Sequence, residues 1–173
     1  MAPDYPSFGD LANYDFANDR YASGTMKGIF NHMRAVDLLV ARDDVDPDRL
    51  AVIGHSLGGH NALFLAAFDT RLKVIVTSCG WTPFHFYYGG KKLENWAQDR
   101  YMPWMRDVFN NDPDQVPFDF HEVIAALAPR TLYSCSPLGD ENFEVAGVQQ
   151  VELAAREVYR LYSAEEELII RYP

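Results

Sequence analysis

The sequence is poor in positive charge and contains no long apolar run. Its 15 lysines and arginines stand against 25 aspartates and glutamates, so the formal net charge is −10 at pH 7. This balance argues against nucleic acid or an anionic membrane as a partner, because both repel an acidic surface. No apolar stretch reaches the roughly 20 residues that a transmembrane helix needs, and residues 1–4 have no signal-peptide character. We expect a globular protein, with the cytoplasm as its default location and export left open.

Signals for a disulfide or a metal are weak. The two cysteines, Cys79 and Cys135, each end an apolar run, which favours buried free thiols over a disulfide. Residues 44–48 place aspartate at every second position, as the start of a calcium loop does. However, Arg49 stands where that loop needs glycine, and His55 stands where it needs glutamate. The sequence therefore predicts neither a metal site nor a cofactor.

The most informative stretch is a G-x-S-x-G motif, Gly-His-Ser-Leu-Gly, at residues 54–58. Residues 50–53 are wholly apolar, as expected of a strand buried on both faces, and residues 62–68 are apolar helix formers. A sharp turn between a strand and a helix is the context in which this motif forms a nucleophile elbow. The pattern predicts an exposed Ser56 hydroxyl, with the Leu57 N–H beside it to bind an oxyanion. The alternative is a glycine-rich turn with an incidental serine.

The two glycines of the motif have a steric interpretation. We expect side chains at Gly54 and Gly58 to collide with neighbouring backbone, because the turn is tight and holds the serine in a strained conformation. Both positions are therefore predicted to require glycine.

Strand-like and helix-like segments alternate through the rest of the chain. Continuous apolar or β-branched runs predict further strands, and apolar residues at helical spacing predict helices on either side of them. This alternation predicts an α/β fold with a largely parallel sheet flanked by helices, in one domain over residues 1–173. The predicted strands are 73–79, 130–135 and 167–172. One predicted helix is capped by Ser23 or Thr25, a second covers 121–127, and a third, amphipathic one covers 148–162. The apolar residues of the third are Val151, Leu153, Ala154, Val158, Leu161 and Tyr162.

Residues 80–120 interrupt this alternation and contain all three tryptophans. An aromatic-rich insertion above strand ends could be a lid or a pocket lining, and Trp81, Tyr87 and Tyr88 are the candidate pocket residues. The alternative is a satellite hydrophobic cluster beneath a long connection.

A nucleophilic serine needs a base, normally a histidine oriented by a carboxylate. In folds with this elbow the chain order is serine, acid, histidine. Asp140 follows the strand at 130–135 and is the candidate acid, with Glu141 as a rival. No histidine follows Asp140, and a structural role is the favoured interpretation for each one present. The five histidines are His32, His55, His60, His85 and His121.

Three segments resemble the α/β-hydrolase superfamily: residues 54–59 (Gly-His-Ser-Leu-Gly-Gly), 127–132 (Leu-Ala-Pro-Arg-Thr-Leu) and 137–143 (Pro-Leu-Gly-Asp-Glu-Asn-Phe). The sequence is most similar to dienelactone-hydrolase-like and acetyl-xylan-esterase-like serine esterases, with prolyl-oligopeptidase-type peptidases as relatives. The resemblance implies a carboxylic ester hydrolase for a small-molecule substrate. It also implies Ser56 as the nucleophile, Asp140 as the acid and the Leu57 N–H as an oxyanion donor.

The sequence departs from that superfamily at both ends. Its members carry strands before the part that matches residues 1–9, and they place the catalytic histidine just beyond the strand that matches 167–172. We therefore expect a partial α/β-hydrolase fold, truncated at both ends, that alone is weakly active or inactive and is prone to aggregate. The alternatives are a non-catalytic scaffold, or a peptidase or acyltransferase of the same fold. The sequence leaves the oligomeric state open.

Overall fold

The computed structural model describes residues 1–21, 23–90 and 93–173. The chain forms two compact units, one of residues 1–47 with 93–116 and the other of residues 48–92 with 117–173. The predicted insertion at 80–120 is divided between the two units, and its residues 91–92 lie outside the described residues. A single domain over 1–173 stays a prediction.

The second unit is built on a four-stranded sheet. All neighbouring strands pair in parallel, and their spatial order β1-β2-β3-β4 equals their order along the chain. This arrangement confirms the predicted α/β class and the parallel sheet. The bounds differ from the predicted ones by one or two residues at most strand ends. The strands are β1 (Leu50–His55), β2 (Leu72–Ser78), β3 (Thr131–Cys135) and β4 (Leu168–Arg171).

Five α-helices form within the described residues, and polar side chains fix the start of two of them. The Ser23 hydroxyl accepts a hydrogen bond of 3.0 Å from the Met26 N–H, which caps the first helix. Asp119 and Glu122 form a reciprocal capping box at the fourth. None of the described helices combines the length and the apolar character needed to cross a membrane. The helices are α1 (Gly24–Val40), α2 (Leu57–Phe68), α3 (Trp104–Asp107), α4 (Phe120–Ala125) and α5 (Val145–Leu161).

The two faces of the sheet differ in exposure. Helices α2, α4 and α5 form a layer on one face, where Ile75, Leu132 and Leu168 are buried. Side chains alternate between faces along a strand, so the neighbouring positions point the other way. On that other face, which we call the open face, Ile53 is 79% exposed and Tyr133 is partly exposed. Among the described residues, β1 is also an edge strand of this sheet.

The buried side of α5 differs from the sequence-based expectation. Apolar spacing at 148–162 favoured a face containing Leu153 and Leu161, but both side chains are exposed. The helix begins three residues earlier than predicted, and a set at spacings of three and four faces the core instead. The phenol of Tyr159 completes that face by donating a 3.0 Å hydrogen bond to the Arg130 carbonyl. The buried residues are Val145, Gly147, Val148, Val151, Ala155 and Tyr159.

The first unit is organised around the start of α1. Backbone N–H groups of Gly24 and Thr25 donate to the carbonyls of Asp99 (2.9 Å) and Tyr101 (3.0 Å). The buried Tyr5 donates its hydroxyl proton to the Arg100 carbonyl at 2.6 Å. These bonds tie the amino-terminal segment, α1 and residues 93–116 into one compact unit.

Candidate active site

Ser56 occupies the turn that joins β1 to α2. Its backbone dihedrals, φ 52° and ψ −121°, lie in a region that residues with a side chain rarely adopt. The Ser56 N–H donates to the Ser78 carbonyl at 2.8 Å, and the Ser56 carbonyl accepts from His60 at 3.0 Å. The Ser56 side chain forms no capping hydrogen bond and is exposed. The turn therefore presents a free hydroxyl, and the Leu57 N–H lies at the positive end of α2 next to it.

The steric expectation for the motif is confirmed at one glycine and wrong at the other. A Cβ at Gly54 would lie 2.0 Å from the Gly58 carbonyl oxygen, whereas a Cβ at Gly58 would have no heavy atom within 4 Å. The backbone of Gly58 therefore requires glycine at position 54, whereas the space around Gly58 itself would admit a side chain. Further constraints fall on Gly59 and Gly80, because a Cβ at either would lie within 2.6 Å of the Thr77 hydroxyl oxygen.

Asp140 lies in the loop that follows β3, where the sequence placed it. Its Oδ1 accepts hydrogen bonds from the N–H groups of Asn142 (2.9 Å) and Phe143 (3.0 Å). These two bonds hold the turn that carries the carboxylate. Asp140 is half-buried, while the rival Glu141 is exposed. The placement thus favours Asp140 as the acid.

Cys79 links the serine turn to the acid loop at the carboxyl edge of the sheet. It directly follows Ser78, which bonds to Ser56, and its own N–H donates to the Cys135 carbonyl at 3.0 Å. Its thiol lies beside the carboxylate of Asp140; burial, with a contribution from that carboxylate, raises the pKa of the thiol. Cys79 and Cys135 are both free, as expected from the sequence, but each is half-buried where full burial was expected. The role of Cys79 as a neighbour of the acid was not predicted.

Tyr87 and Tyr88 lie against the acid loop. Tyr87 forms an antiparallel bridge with Phe143, and their ring centroids are 5.4 Å apart. The Tyr88 N–H donates to the Asn142 carbonyl at 3.1 Å, and the two tyrosine rings meet edge to face at 4.9 Å. Both side chains are half-buried. Two of the three candidate pocket residues therefore adjoin the loop of Asp140.

Trp81 is placed differently from the other two candidates. It is 1% exposed, its ring lies 5.9 Å from that of Phe120, and its indole N–H donates to the Ser134 hydroxyl at 3.0 Å. A buried indole with a satisfied N–H is a core residue. The structure thus places Trp81 in the hydrophobic core and not on a pocket surface. Its partner is 53 positions away in the sequence, which no local pattern reveals.

Two of the five histidines, His60 and His32, lie in environments that lower the pKa of their rings. His60 is 0% exposed and packs against the rings of Phe64 (4.6 Å) and Phe120 (5.8 Å). Burial lowers the pKa of His60 to about 3, so this imidazole is neutral near pH 7. Burial also lowers the pKa of His32, which lies on α1 in the first unit. Neither environment suits a proton acceptor for Ser56.

The other three histidines lie on the second unit. Nδ1 of His55 is 3.2 Å from the Ser78 hydroxyl, a pairing that follows from the register of β1 and β2. His85 and His121 lie near Asp119; burial raises the pKa of that carboxyl, and both histidines act against this effect. The sequence did not indicate the pair of His55 and Ser78, because it appears only once the strand register is known.

Comparisons with known proteins show what this chain is similar to. The sequence matches the family described as "Glucuronyl esterase, fungi" over residues 12–163. It is 30% identical over 165 residues to "Putative hydrolase YtaP" of Bacillus subtilis, covering 92% of this chain and 52% of that protein. It is 26% identical over 142 residues to the "4-O-methyl-glucuronoyl methylesterase" of Podospora anserina, covering 69% of this chain and 28% of that protein. The chain thus spans about half or less of the length of these relatives.

Solved structures share the fold. A carbohydrate esterase family 15 glucuronoyl esterase from Caldicellulosiruptor kristjansonii superposes with a TM-score of 0.73 at 24% identity, covering 94% of this chain and 47% of that one. A glucuronoyl esterase from Solibacter usitatus gives 0.67 at 24% identity, covering 91% and 43%. These likenesses confirm the predicted α/β-hydrolase type of fold, over about half of each solved chain.

Proposed function

The chain belongs to the glucuronyl esterase family, and we propose that it carries the nucleophile and the acid of a serine hydrolase for carboxylic esters of carbohydrates. This assignment replaces the narrower resemblance to dienelactone-hydrolase-like and acetyl-xylan-esterase-like enzymes. The names of the relatives suggest an ester of a uronic acid as the substrate class. The observation that carries the proposal is the exposed hydroxyl of Ser56 on a strained turn between β1 and α2.

In the proposed reaction, the Ser56 Oγ attacks the carbonyl carbon of the ester while a base takes its proton. The Leu57 N–H donates to the developing oxyanion at the positive end of α2. Collapse of the tetrahedral intermediate returns the proton to the leaving oxygen, releases the alcohol and leaves an acyl group on Ser56. Water, activated by the same base, then releases the carboxylic acid and restores the hydroxyl.

The proposed role of Asp140 is to orient that base. Because Oδ1 accepts two backbone N–H bonds, the carboxylate is held in a fixed direction before any base binds to it. The placements of the five histidines favour none of them as the base. We therefore expect the base to come from polypeptide outside these 173 residues, and the chain alone to be weakly active or inactive.

Tyr87 and Tyr88 are the proposed pocket residues. Their half-buried rings adjoin the loop that carries Asp140, and aromatic faces pack well against the C–H faces of sugar rings. Trp81 is not included, because its indole is enclosed in the core.

A fluorophosphonate probe tests the nucleophile. We expect labelling of a version extended at its carboxyl end through the next histidine of its reading frame, and weak or no labelling of residues 1–173 alone. Replacing Ser56 with alanine should abolish labelling in both, while replacing Ser78 with alanine should not. Labelling at Ser78, or the absence of labelling in a folded extended version, would contradict the proposal and favour a non-catalytic scaffold.

Substrate preference is tested on the same extended version. We expect faster hydrolysis of benzyl glucuronate than of p-nitrophenyl acetate, and no cleavage of peptide substrates. Faster cleavage of peptides would instead identify a peptidase of the same fold. Comparable rates on both esters would still support a serine hydrolase but would contradict a preference for esters of uronic acids.

A further inference from the structure

An unusual lysine lies near the start of α1, in the first unit. The Lys27 ammonium is 4.8 Å from the ring centroid of Tyr21, 5.3 Å from that of Phe30 and 5.9 Å from that of Tyr14. Each of these distances is within the range in which a cation is attracted to an aromatic ring. Lys27 and the three rings are half-exposed, so the group borders solvent.

The carboxylate of Asp19, which lies near this group, is engaged by other partners. Asp19 feels the charge of Lys27, but it accepts hydrogen bonds from the Tyr14 hydroxyl at 2.5 Å and from the Tyr21 N–H at 3.3 Å. Among the described residues, the contacts of the Lys27 ammonium are with rings. Because Lys27 is half-exposed, its ammonium can also donate hydrogen bonds to an added carboxylate.

Two arginines extend the same surface. The Arg20 guanidinium lies 5.2 Å from the Tyr21 ring and 5.7 Å from the Phe30 ring, and that of Arg34 lies 5.4 Å from Phe30. Arg20 also donates to the Tyr21 hydroxyl at 3.1 Å, and Arg34 pairs with Asp37 at 2.9 Å. Three cations thus gather on one aromatic group in a chain whose net charge is −10. We call this group the cationic–aromatic surface: Tyr14, Arg20, Tyr21, Lys27, Phe30 and Arg34.

We propose that the cationic–aromatic surface binds acidic carbohydrate. Aromatic rings offer flat apolar faces to sugar C–H groups, and ammonium and guanidinium groups pair with uronic carboxylates. Nucleic acid is a poor alternative, because the acidic chain as a whole repels a polyanion of high charge density. The choice of carbohydrate rests on the proposed function, but binding at this surface requires no turnover at Ser56.

Binding is measured with the Ser56→Ala variant, so that no substrate is consumed. The probes are glucuronoxylan and an unsubstituted linear xylan, compared by affinity electrophoresis and calorimetry. We expect glucuronoxylan to bind at least ten times more tightly, and its affinity to fall as salt rises. Lys27→Met and Arg20→Gln should each weaken that binding several-fold, and Lys27→Arg should retain most of it.

The control is Arg160→Gln, which removes an arginine of α5, in the other unit, whose side chain is as exposed as that of Arg34. It should leave binding unchanged. Equal binding of both xylans, or unchanged binding by folded Lys27→Met and Arg20→Gln variants, would overturn the proposal. Equally tight binding of poly-glutamate would also overturn it, since charge alone would then suffice. If this chain bound glucuronoxylan selectively but its extended version showed no esterase activity, the proposed function would be rejected. The proposal that the cationic–aromatic surface binds acidic carbohydrate would still stand.

Discussion

A methyl group on Gly54 would meet the carbonyl oxygen of Gly58 at 2.0 Å, whereas one on Gly58 would meet no heavy atom within 4 Å. The two glycines of a single motif therefore have different reasons to be there. Gly54 lets the backbone of α2 approach the end of β1, and Gly58 leaves space beside the Ser56 turn. A clash at Gly54 cannot be relieved by side-chain movement, because the atoms that the methyl group would meet belong to the backbone.

This difference predicts opposite outcomes for one substitution. Gly54→Ala should destabilise the protein by about 3 kcal/mol or more, because backbone must move to admit the methyl group. Gly58→Ala should change stability by less than about 1 kcal/mol, and alanine is the better helix former. Urea unfolding of both variants measures the difference. Equal losses at the two positions would show that the turn packs differently from the structure.

The buried His60 predicts a loss of stability at acid pH. Its folded pKa of about 3 lies below the usual 6.5 of histidine, so the unfolded chain binds a proton that the folded chain does not. The contribution of His60 to the free energy of unfolding is fully present above pH 6.5. It decreases by up to about 1.4 kcal/mol per pH unit as the pH falls from 6.5 toward 3. His60→Phe should flatten the dependence of unfolding free energy between pH 6.5 and 5. An unchanged slope for a folded His60→Phe variant would refute the assignment.

The open face of the sheet predicts poor solubility that one charge can improve. Ile53 is 79% exposed on β1, which is uncharged from Leu50 to Ile53 and lies at an edge of the sheet. Apolar edge strands promote association between chains, and a lysine on them opposes it. Ile53→Lys should raise the soluble concentration several-fold in light scattering. Leu153→Lys, on α5, is the control, since it charges a side chain that is 72% exposed away from the sheet. Equal gains would mean that the edge has no special role.

Two buried hydroxyls paired across β2 and β3 predict a contrast in stability. Thr77 and Ser134 are register partners, but of the two only Ser134 has hydrogen-bond partners in the described structure, the indole N–H of Trp81 and the hydroxyl of Ser136. Ser134→Ala leaves that N–H unsatisfied and should cost about 1–3 kcal/mol. Thr77→Val removes an unsatisfied group and should be neutral or stabilising by up to about 1 kcal/mol. Thermal unfolding of the two variants checks this, and a larger loss for Thr77→Val would contradict it.

Segments whose apolar pattern fits only one kind of secondary structure were predicted well from the sequence. The β-branched run in β2 and the apolar run before Ser56 fit strands buried in a parallel sheet, and both are strands. Helix α5 was predicted, but its buried face was not, because two overlapping apolar sets compete in it. Spacing alone did not show that Tyr159, with a carbonyl partner on Arg130, faces the core while Leu153 does not.

The candidate site was predictable only in part. Chain order after a strand located Asp140, but its neighbours come from far away in sequence. Tyr87 meets Phe143 across 56 positions, a separation that leaves no local pattern. Trp81 and Tyr87 are both aromatic residues just beyond β2, and only the packing separates a core indole from a ring beside the acid loop.

The strand order determines which face of this sheet its connecting helices can cover. Each crossover from β1 to β4 advances in the same direction, and right-handed crossovers that advance one way lay their helices on one side. A further right-handed crossover beyond β4 would place its helix on the same face, next to the layer that α2, α4 and α5 form. A helix on the side of Ile53 would therefore need a right-handed crossover that advances in the opposite direction along the sheet, from β1 away from β2.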